Sequence, residues 1–152
     1  GLSGVRIRVS APGQLQLKGS VENDELCRRA LRLWLLQRAQ STLLPLLHKL
    51  ALAAGFRYQR AQIRGQHTRW GSCSGRGTIS LNWHLLFLTP KQVRYVLLHE
   101  LCHTVELNHS HRFWQLLQQH QSDSGALRKS MRRAWQELPA WLHEVQKPRK
   151  VD

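Results

Sequence analysis

The chain of 152 residues carries 23 Lys and Arg against 9 Asp and Glu, which gives a formal net charge of +14. This length is sufficient for one domain with a substantial core. No apolar run approaches the roughly 18 residues of a membrane span, and the N-terminus lacks the hydrophobic region of a signal peptide. We therefore expect a cytoplasmic protein without membrane contact, whose basic surface favours anionic partners such as nucleotides or nucleic acid.

The three cysteines argue against disulfide and thiolate-metal classes. Cys27, Cys73 and Cys102 are odd in number, widely spaced and form no CxxC pair. Neither a disulfide framework nor a cysteine-ligated zinc site is therefore predicted, and a reducing compartment suits these residues.

The N-terminal segment predicts a β-hairpin and then a helix. Apolar and polar residues alternate in VRIRVS at 5–10 and in QLQLK at 14–18, with a Pro-Gly pair between them. This pattern predicts two strands joined by a tight turn, spanning 5–18. Asn23 or Asp24 can then cap a helical tract with leucines at helical spacing.

We expect that helical tract to be interrupted. Pro45 lies inside it, and a proline can neither donate the helical hydrogen bond nor avoid the carbonyl of the preceding turn. The sequence therefore predicts a break near Ser41 or Thr42, with Pro45 in the first turn of a second helix. Gly55 is suited to end that helix.

The middle of the chain predicts two strands and a loop. FRYQRAQIRGQ at 56–66 and TISLNW at 78–83 have strand-like composition. Between them lies HTRWGSCSGRG at 67–77, whose glycines and serines predict a loop. Thr89 followed by Pro90 is a strong helix start, and the segment after it has an apolar stripe.

The C-terminal part predicts further helices, and the whole chain predicts an α+β fold. Ser110 can cap a helix on which Phe113 and Trp114 pack against the preceding one. A last helix is expected from 124 to about 146, with a bend at Pro139. The expected organisation is one domain over 1–152, with a core at 23–121 and a small sheet packed against several helices.

The stretch HELCHTVELNH, from His99 to His109, has the composition of a metal-hydrolase centre. His99 and His103 are four residues apart on a predicted helix, so their imidazoles lie about 40° apart around its axis and one turn apart along it. Two such imidazoles can share one metal ion. Glu100 projects to the flank where a metal-bound water would lie, which is the position of a general base.

A third ligand is needed for a catalytic zinc ion with an open fourth position. On a continuous helix, His109 would lie about 15 Å along the axis from His99, too far to share an ion. The chain must therefore turn after Glu106 or Leu107. Asn108 tolerates the left-handed conformation of such a turn, and the turn would bring His109 back over the first two histidines.

Other assignments of this region stay open. A zinc site that is structural, or a third ligand supplied by Glu137 or Glu144 from a later helix, is compatible with the same motif. Glu106 can orient His103 or lie at the surface as an ordinary helix-end carboxylate. Cys102 and Met131 are interpreted as buried packing residues.

Four motifs in order resemble those of the YgjP-like metal-dependent hydrolase family, a relative of the SprT-like and WLM zinc peptidases; they are TRWGSCS (68–74), ISLNW (79–83), HELCH (99–103) and NHSHRFW (108–114). The similarity runs from about Leu31 to Gln121. It implies a zincin-like fold, one Zn²⁺ ion held by His99, His103 and His109, and Glu100 as catalytic base. It also implies that the TRWGSCS loop lies beside the active site.

The loop before the second strand carries candidate substrate-binding residues. Arg64, Arg69 and Arg76 cluster around its Gly/Ser-rich turn, where guanidinium and backbone N–H groups can hold an anion or a peptide carbonyl. Arg64, Arg69 and Asn82 are the candidate substrate contacts. Trp70 is interpreted as a core residue.

The leading hypothesis is a zinc metallopeptidase that cleaves a peptide or protein with a water activated by Glu100. A substrate strand would add to a sheet edge formed by TISLNW, and His111 and Arg112 are the candidates for stabilising the oxyanion. One alternative, implied by the family resemblance, is a metal-dependent nucleoside triphosphate pyrophosphatase with a UTP-like substrate. Another is a protease module that contacts nucleic acid through its basic surface.

Overall fold

The structure, a computed structural model, describes residues 4–65 and 68–146. The chain divides into two compact units, one of residues up to 38 together with those from 139, and one of residues 39–138. The prediction of a single domain stays a prediction. All of the side chains of the candidate site come from the second unit.

The first unit contains the predicted hairpin. β1 (Val5–Ala11) pairs antiparallel with β2 (Gln14–Gly19), with an irregularity in the register between Val9 and Ala11. Gly13 has φ +74°, the left-handed conformation that a Pro-Gly turn needs at its second position. The hairpin and its turn are thereby confirmed.

The long helix α1 (Asp24–Ala54) follows the hairpin. Asn23 caps it, since its side-chain oxygen accepts the amide of Leu26 at 3.1 Å. Gly55, with φ +79°, ends it as predicted. Within the described ranges no helix, α1 included, is both long enough and apolar enough to cross a membrane.

The predicted break in α1 near Ser41 or Thr42 is wrong. The helix continues through Pro45 without interruption. A proline removes one backbone donor and crowds one carbonyl, but the turns on either side bury Leu43 and Leu47 almost completely. Packing of this leucine-rich face outweighs the local cost of the proline.

The second unit contains a three-stranded sheet with the order β3-β5-β4. β3 (Arg60–Arg64) and β5 (Thr78–Asn82) are parallel, and β4 (Gly71–Cys73) runs antiparallel to β5. The strand predicted at 56–66 is shorter than expected. Part of the predicted loop at 67–77 is the edge strand β4, and His67 lies outside the described residues.

Four helical segments follow this sheet in the second unit. A 3-10 helix (Trp83–Phe87) follows β5, and α2 (Pro90–Cys102) packs on β4 and β5 as well as on α3 (His111–His120) and α4 (Ser124–Ala134). Thr89 and Gln92 form a reciprocal capping box at the start of α2, so the predicted helix start is confirmed. The sheet and α2 thus position the HELCH motif.

The predicted C-terminal helix is divided. α4 ends at Ala134, and α5 (Trp141–Gln146), which belongs to the first unit, begins only after Pro139. The single bent helix expected over 124–146 is therefore two helices with an intervening turn. Pro139 lies in that turn, as the inability of proline to continue a helix requires.

Candidate metal centre

The first two histidines of the motif lie at the end of α2. His99 is in its last turn, and His103 is the residue at which the helix ends. The helix therefore ends earlier than Glu106 or Leu107, where the end was expected. A turn with the 3-10 hydrogen-bond pattern follows instead, in which the amide of Thr104 donates to the carbonyl of Leu101 at 3.0 Å.

The return of the chain toward α2 needs no left-handed residue. Every described residue with positive φ is a glycine, so the left-handed conformation expected for Asn108 is wrong. A short irregular segment leads instead to Ser110, whose hydroxyl accepts the amide of Phe113 and starts α3. The predicted cap at Ser110 is confirmed, and His109 directly precedes it.

Three imidazoles converge as a result of this turn. Nε2 of His109 lies 3.0 Å from Nε2 of His103 and 3.2 Å from Nε2 of His99. One ligand atom from each histidine lies within 4.8 Å of the other two. The structure therefore brings together the three residues that the sequence predicted as metal ligands.

Two of the rings are oriented by contacts on their other nitrogen. Nδ1 of His103 lies 3.0 Å from the backbone carbonyl of Glu106, which can only accept, so Nδ1 carries the proton. Nδ1 of His99 lies 3.3 Å from Oε2 of Glu100. Both contacts leave Nε2 as the lone-pair nitrogen, the form that binds a metal. Glu106 thus orients His103 through its backbone oxygen and not through its carboxylate.

The electrostatics of His109 favour the same neutral form. Partial burial lowers its pKa, and the neighbouring His99 and His103 lower it further, together with Arg128, while Glu100 opposes this. A lowered pKa keeps the imidazole deprotonated at neutral pH. The lone pair is therefore available for coordination.

Aromatic side chains of α3 hold the ligand rings. Phe113 is fully buried and stacks on His103, with ring centroids 4.3 Å apart and 22° between planes. Trp114 stacks on His109 at 5.5 Å and 19°. The predicted packing of Phe113 and Trp114 against α2 is confirmed by their contacts with His99 and His103, and their contacts with His109 add to it. The cluster is rigidified from one side by an apolar wall.

Glu100 is buried beside the cluster, with 4% of its surface exposed. It faces Gly71 of β4 so closely that a Cβ atom at that position would lie 3.0 Å from Cγ of Glu100 and 3.1 Å from Oε2. A side chain at position 71 would therefore crowd the carboxylate and require it to shift by a few tenths of an ångström. The edge strand thus fixes the position of this side chain.

A cavity of about 470 Å³ opens at the cluster. The three histidines and Glu100 form its floor, and β4 forms one wall. Tyr95 and Leu107 border it as well, and so does Met131, which is only 9% exposed. Met131 is buried as predicted, but it also contributes to the cavity surface.

The three candidate substrate-binding residues differ in their position relative to the cavity. Arg69 is exposed and lines the cavity. Arg64 lies at the end of β3, on the opposite side of β5 from β4. Asn82 is 2% exposed, and its side chain donates to the carbonyl of Arg69 at 2.8 Å and accepts the amide of His84 at 3.0 Å. Asn82 therefore supports the loop at Arg69, and the structure brings neither it nor Arg64 to the cavity.

The cysteines near the cluster are not activated thiols. Burial, assisted by the charge of Glu100, raises the pKa of Cys102 to about 12 and that of Cys73 to about 11. Both stay protonated at neutral pH, and only a thiolate is a nucleophile or metal ligand. Cys102 is fully buried, which confirms its interpretation as a packing residue.

Trp70 takes part in packing but also borders the cavity. Its ring stacks on that of Trp135, with centroids 3.9 Å apart. It is half-buried, so its interpretation as a core residue holds only for one face.

Glu137, the alternative third ligand, is exposed and outside the histidine cluster; the side chain of Glu144 lies outside the described part of the chain.

Sequence reasoning missed three residues that the structure places at the site. Tyr95 lies one turn before His99 on α2, and its helical spacing could have indicated it. Gly71 and Arg128 carry no such local signal, because each meets the cluster through a contact distant in sequence. His111 and Arg112, the candidates for oxyanion stabilisation, are exposed at the start of α3.

The fold and the histidine cluster together define a metallopeptidase-like protein, and the comparison with known families agrees. The family model described as YgjP-like, metallopeptidase domain, matches residues 6–134. The chain belongs to this family. Membership implies a catalytic metal ion, for which the three histidines are candidate ligands. No curated protein matches the sequence.

Two solved structures are similar in fold. The metallopeptidase zymogen abylysin of Pyrococcus abyssi superposes with a TM-score of 0.55 at 22% identity, covering 62% of this chain and 96% of that one. The metallopeptidase zymogen jannalysin of Methanocaldococcus jannaschii gives 0.52 at 16%, covering 60% and 94%. At such identities the likeness shows the fold, and it confirms the zincin-like α+β prediction.

Proposed function

We propose that the chain is a zinc-dependent peptidase in which His99, His103 and His109 hold one ion and Glu100 is the general base. The observation that carries this proposal is the convergence of three imidazole nitrogens beside a buried carboxylate at the floor of an open cavity. This donor set suits a catalytic site, since three protein ligands leave a fourth position for substrate or water.

Two of the three nitrogen separations fit a zinc ion, and the third, between His99 and His103, is at most 4.8 Å. Zn–N bonds of about 2.0–2.1 Å in tetrahedral geometry place the ligand nitrogens about 3.3 Å apart. The separations of 3.0 Å from His109 to His103 and 3.2 Å from His109 to His99 are close to that value. All-imidazole coordination is a common choice for zinc.

The proposed ion and the residues around it have distinct roles in hydrolysis. A zinc ion, when bound, would polarise the scissile carbonyl and acidify a water molecule. Glu100 takes the proton of the attacking water on a carboxylate oxygen and passes it to the leaving amine. His99 donates from Nδ1 to the same carboxylate and so keeps it directed to the cluster.

The sheet edge that borders the cavity is β4. The expectation that TISLNW forms that edge is wrong, because β5 is the central strand and pairs on both sides. The backbone groups of Trp70 and Ser74 bond to β5, so by alternation those of Gly71 and Cys73 point away from it, at the cavity wall. We propose that an extended peptide pairs there, beside Glu100.

Gly71→Ala is expected to lower kcat by roughly 2- to 10-fold, because the added Cβ displaces Glu100 by a few tenths of an ångström, and a misplacement of about 1 Å costs about 100-fold. The new Cβ would also press on the carbonyl of Ser80, 3.2 Å away, so the carboxylate must move. The measurement is peptide hydrolysis at saturating substrate, together with zinc content.

Gly75→Ala is the matched control for this change. Gly75 lies in the same segment, but a Cβ there meets only Leu107, at 4.0 Å. Wild-type activity is expected for it. If both alanine variants keep full activity, Gly71 does not position Glu100.

The proposed function is tested by metal removal and reconstitution. The chain stripped with a chelator is expected to leave an unfolded protein substrate intact, and stoichiometric zinc is expected to restore cleavage. The same preparation is incubated with UTP while pyrophosphate release is measured. Metal-dependent release of pyrophosphate without any proteolysis would replace the peptidase proposal with the nucleotide alternative.

A further inference from the structure

Beyond the ligands and the base, one cation lies against the wall of the metal centre. The guanidinium carbon of Arg128 on α4 lies 4.0 Å from the centroid of the Trp114 ring. Two other neighbours of that indole are metal-ligand candidates, since Trp114 also lies 5.5 Å from the His109 ring and 6.1 Å from the His99 ring. The distance from the guanidinium carbon of Arg128 to the His109 ring therefore cannot exceed the sum of these two distances, 4.0 Å and 5.5 Å.

The charge of Arg128 acts on the cavity. It opposes the rise that burial causes in the pKa of Tyr95, a cavity residue. Arg128 is thus electrostatically coupled to the cavity wall.

The guanidinium of Arg128 lies over the Trp114 ring. A cation–π contact of this kind attracts the guanidinium while its N–H groups stay able to donate. Among the acidic side chains that the structure describes, which exclude that of Glu144, none forms an ion pair with it. The planar arginine fork matches a carboxylate in bidentate fashion.

The accessible charge that lines the cavity is also positive. Arg69 is exposed on the β4 side, whereas the one carboxylate among the described lining residues, Glu100, is 4% exposed. A substrate entering the cavity therefore meets accessible positive charge on the side of β4 and near α4. This field attracts an anionic group of the substrate toward the metal centre.

We infer that Arg128, stacked on Trp114, is a substrate-binding residue that recognises a peptide carboxylate close to the scissile bond. This inference rests on the proposed peptidase function and specifies its substrate class. An extended peptide rises about 3.3 Å per residue, so the carboxylate lies within about three residues of the cleaved bond. It belongs either to an Asp or Glu side chain or to the C-terminus of the substrate.

The test compares peptides that differ in one carboxylate. The zinc-loaded chain is given a neutral, C-terminally amidated peptide, the same peptide with Glu at successive positions near the cleaved bond, and the neutral peptide with a free C-terminus. Arg128→Gln is expected to lower kcat/KM for the preferred acidic substrate by about 10- to 100-fold more than it lowers kcat/KM for the neutral amide. Whether the Glu-containing peptide or the free acid is affected identifies the source of the carboxylate.

Two further variants separate recognition from a general effect of charge. Lys129→Gln removes one positive charge from the neighbouring exposed position of α4 and is expected to behave as the wild type. Arg128→Lys keeps the charge but not the planar fork, so it is expected to recover only part of the preference. Equal losses on acidic and neutral peptides, or equal effects of the Arg128 and Lys129 changes, would overturn the inference.

Cleavage of the neutral peptide and a binding measurement separate failure of the peptidase proposal from failure of the carboxylate inference. If the wild type cleaves no peptide, calorimetry on the zinc-loaded Glu100→Gln chain still compares the acidic peptide with its neutral amide. Tighter binding of the acidic peptide, lost in the double variant with Arg128→Gln, supports the carboxylate site without turnover. Equal binding of both peptides contradicts it.

Discussion

Glu100→Gln is expected to lower kcat for peptide hydrolysis by about 10²- to 10⁴-fold while zinc stays bound. Glutamine keeps the size of the side chain and an oxygen that can accept from Nδ1 of His99, 3.3 Å away in the wild type. It cannot take up a proton, and positioned general bases contribute rate factors of this size. The measurement combines steady-state kinetics with zinc content determined by mass spectrometry.

Glu106→Gln is the matched control for the Glu100 variant. Glu106 contributes its backbone carbonyl to His103, and an amide side chain leaves that oxygen unchanged. Activity close to that of the wild type is expected. Full activity of Glu100→Gln, with zinc bound, would show that another group accepts the proton.

His109→Ala is expected to weaken zinc binding by at least about 100-fold, since loss of groups that merely orient a ligand already costs about 10- to 100-fold. His99 and His103 remain on α2, but the ion loses the donor that closes the cluster from the other side. Competition with a chromophoric chelator measures the affinity, and proteolysis is expected to be lost at limiting zinc.

Two controls accompany this variant. His111→Ala removes an exposed histidine two positions along the chain and is expected to leave zinc affinity unchanged. Glu137→Ala tests the alternative ligand. Loss of the ion from the Glu137 variant, with retention in His109→Ala, would contradict the assignment of the third ligand.

The features of the site that were predictable from sequence are local ones. Thr89 and Gln92 start α2 through bonds within one turn, and the spacing of His99 and His103 follows from helical periodicity. The need for a turn before His109 followed from distance alone. Its backbone conformation did not, because several turn types bring the chain back and the structure uses none that requires a left-handed residue at Asn108.

The features that were not predictable depend on contacts distant in sequence. β4 is a strand because it pairs with β5, although its Gly/Ser composition is typical of a loop. Pro45 stays within α1 because packing on both sides compensates for it. The close approach of Gly71 to Glu100 and the stacking of Arg128 on Trp114 join separate elements, and single-sequence patterns contain no record of such pairs.

The short connection between His103 and His109 has a consequence for how the protein can vary. Surface loops ordinarily tolerate insertions and deletions, but one added residue extends the chain by up to about 3.5 Å, more than the 3.0 Å that separates the two ligand nitrogens. This connection is therefore constrained in length, although its exposed side chain Val105 is free to change in identity. Variation in length is expected at turns such as the one between β1 and β2, where no coordination geometry depends on the count.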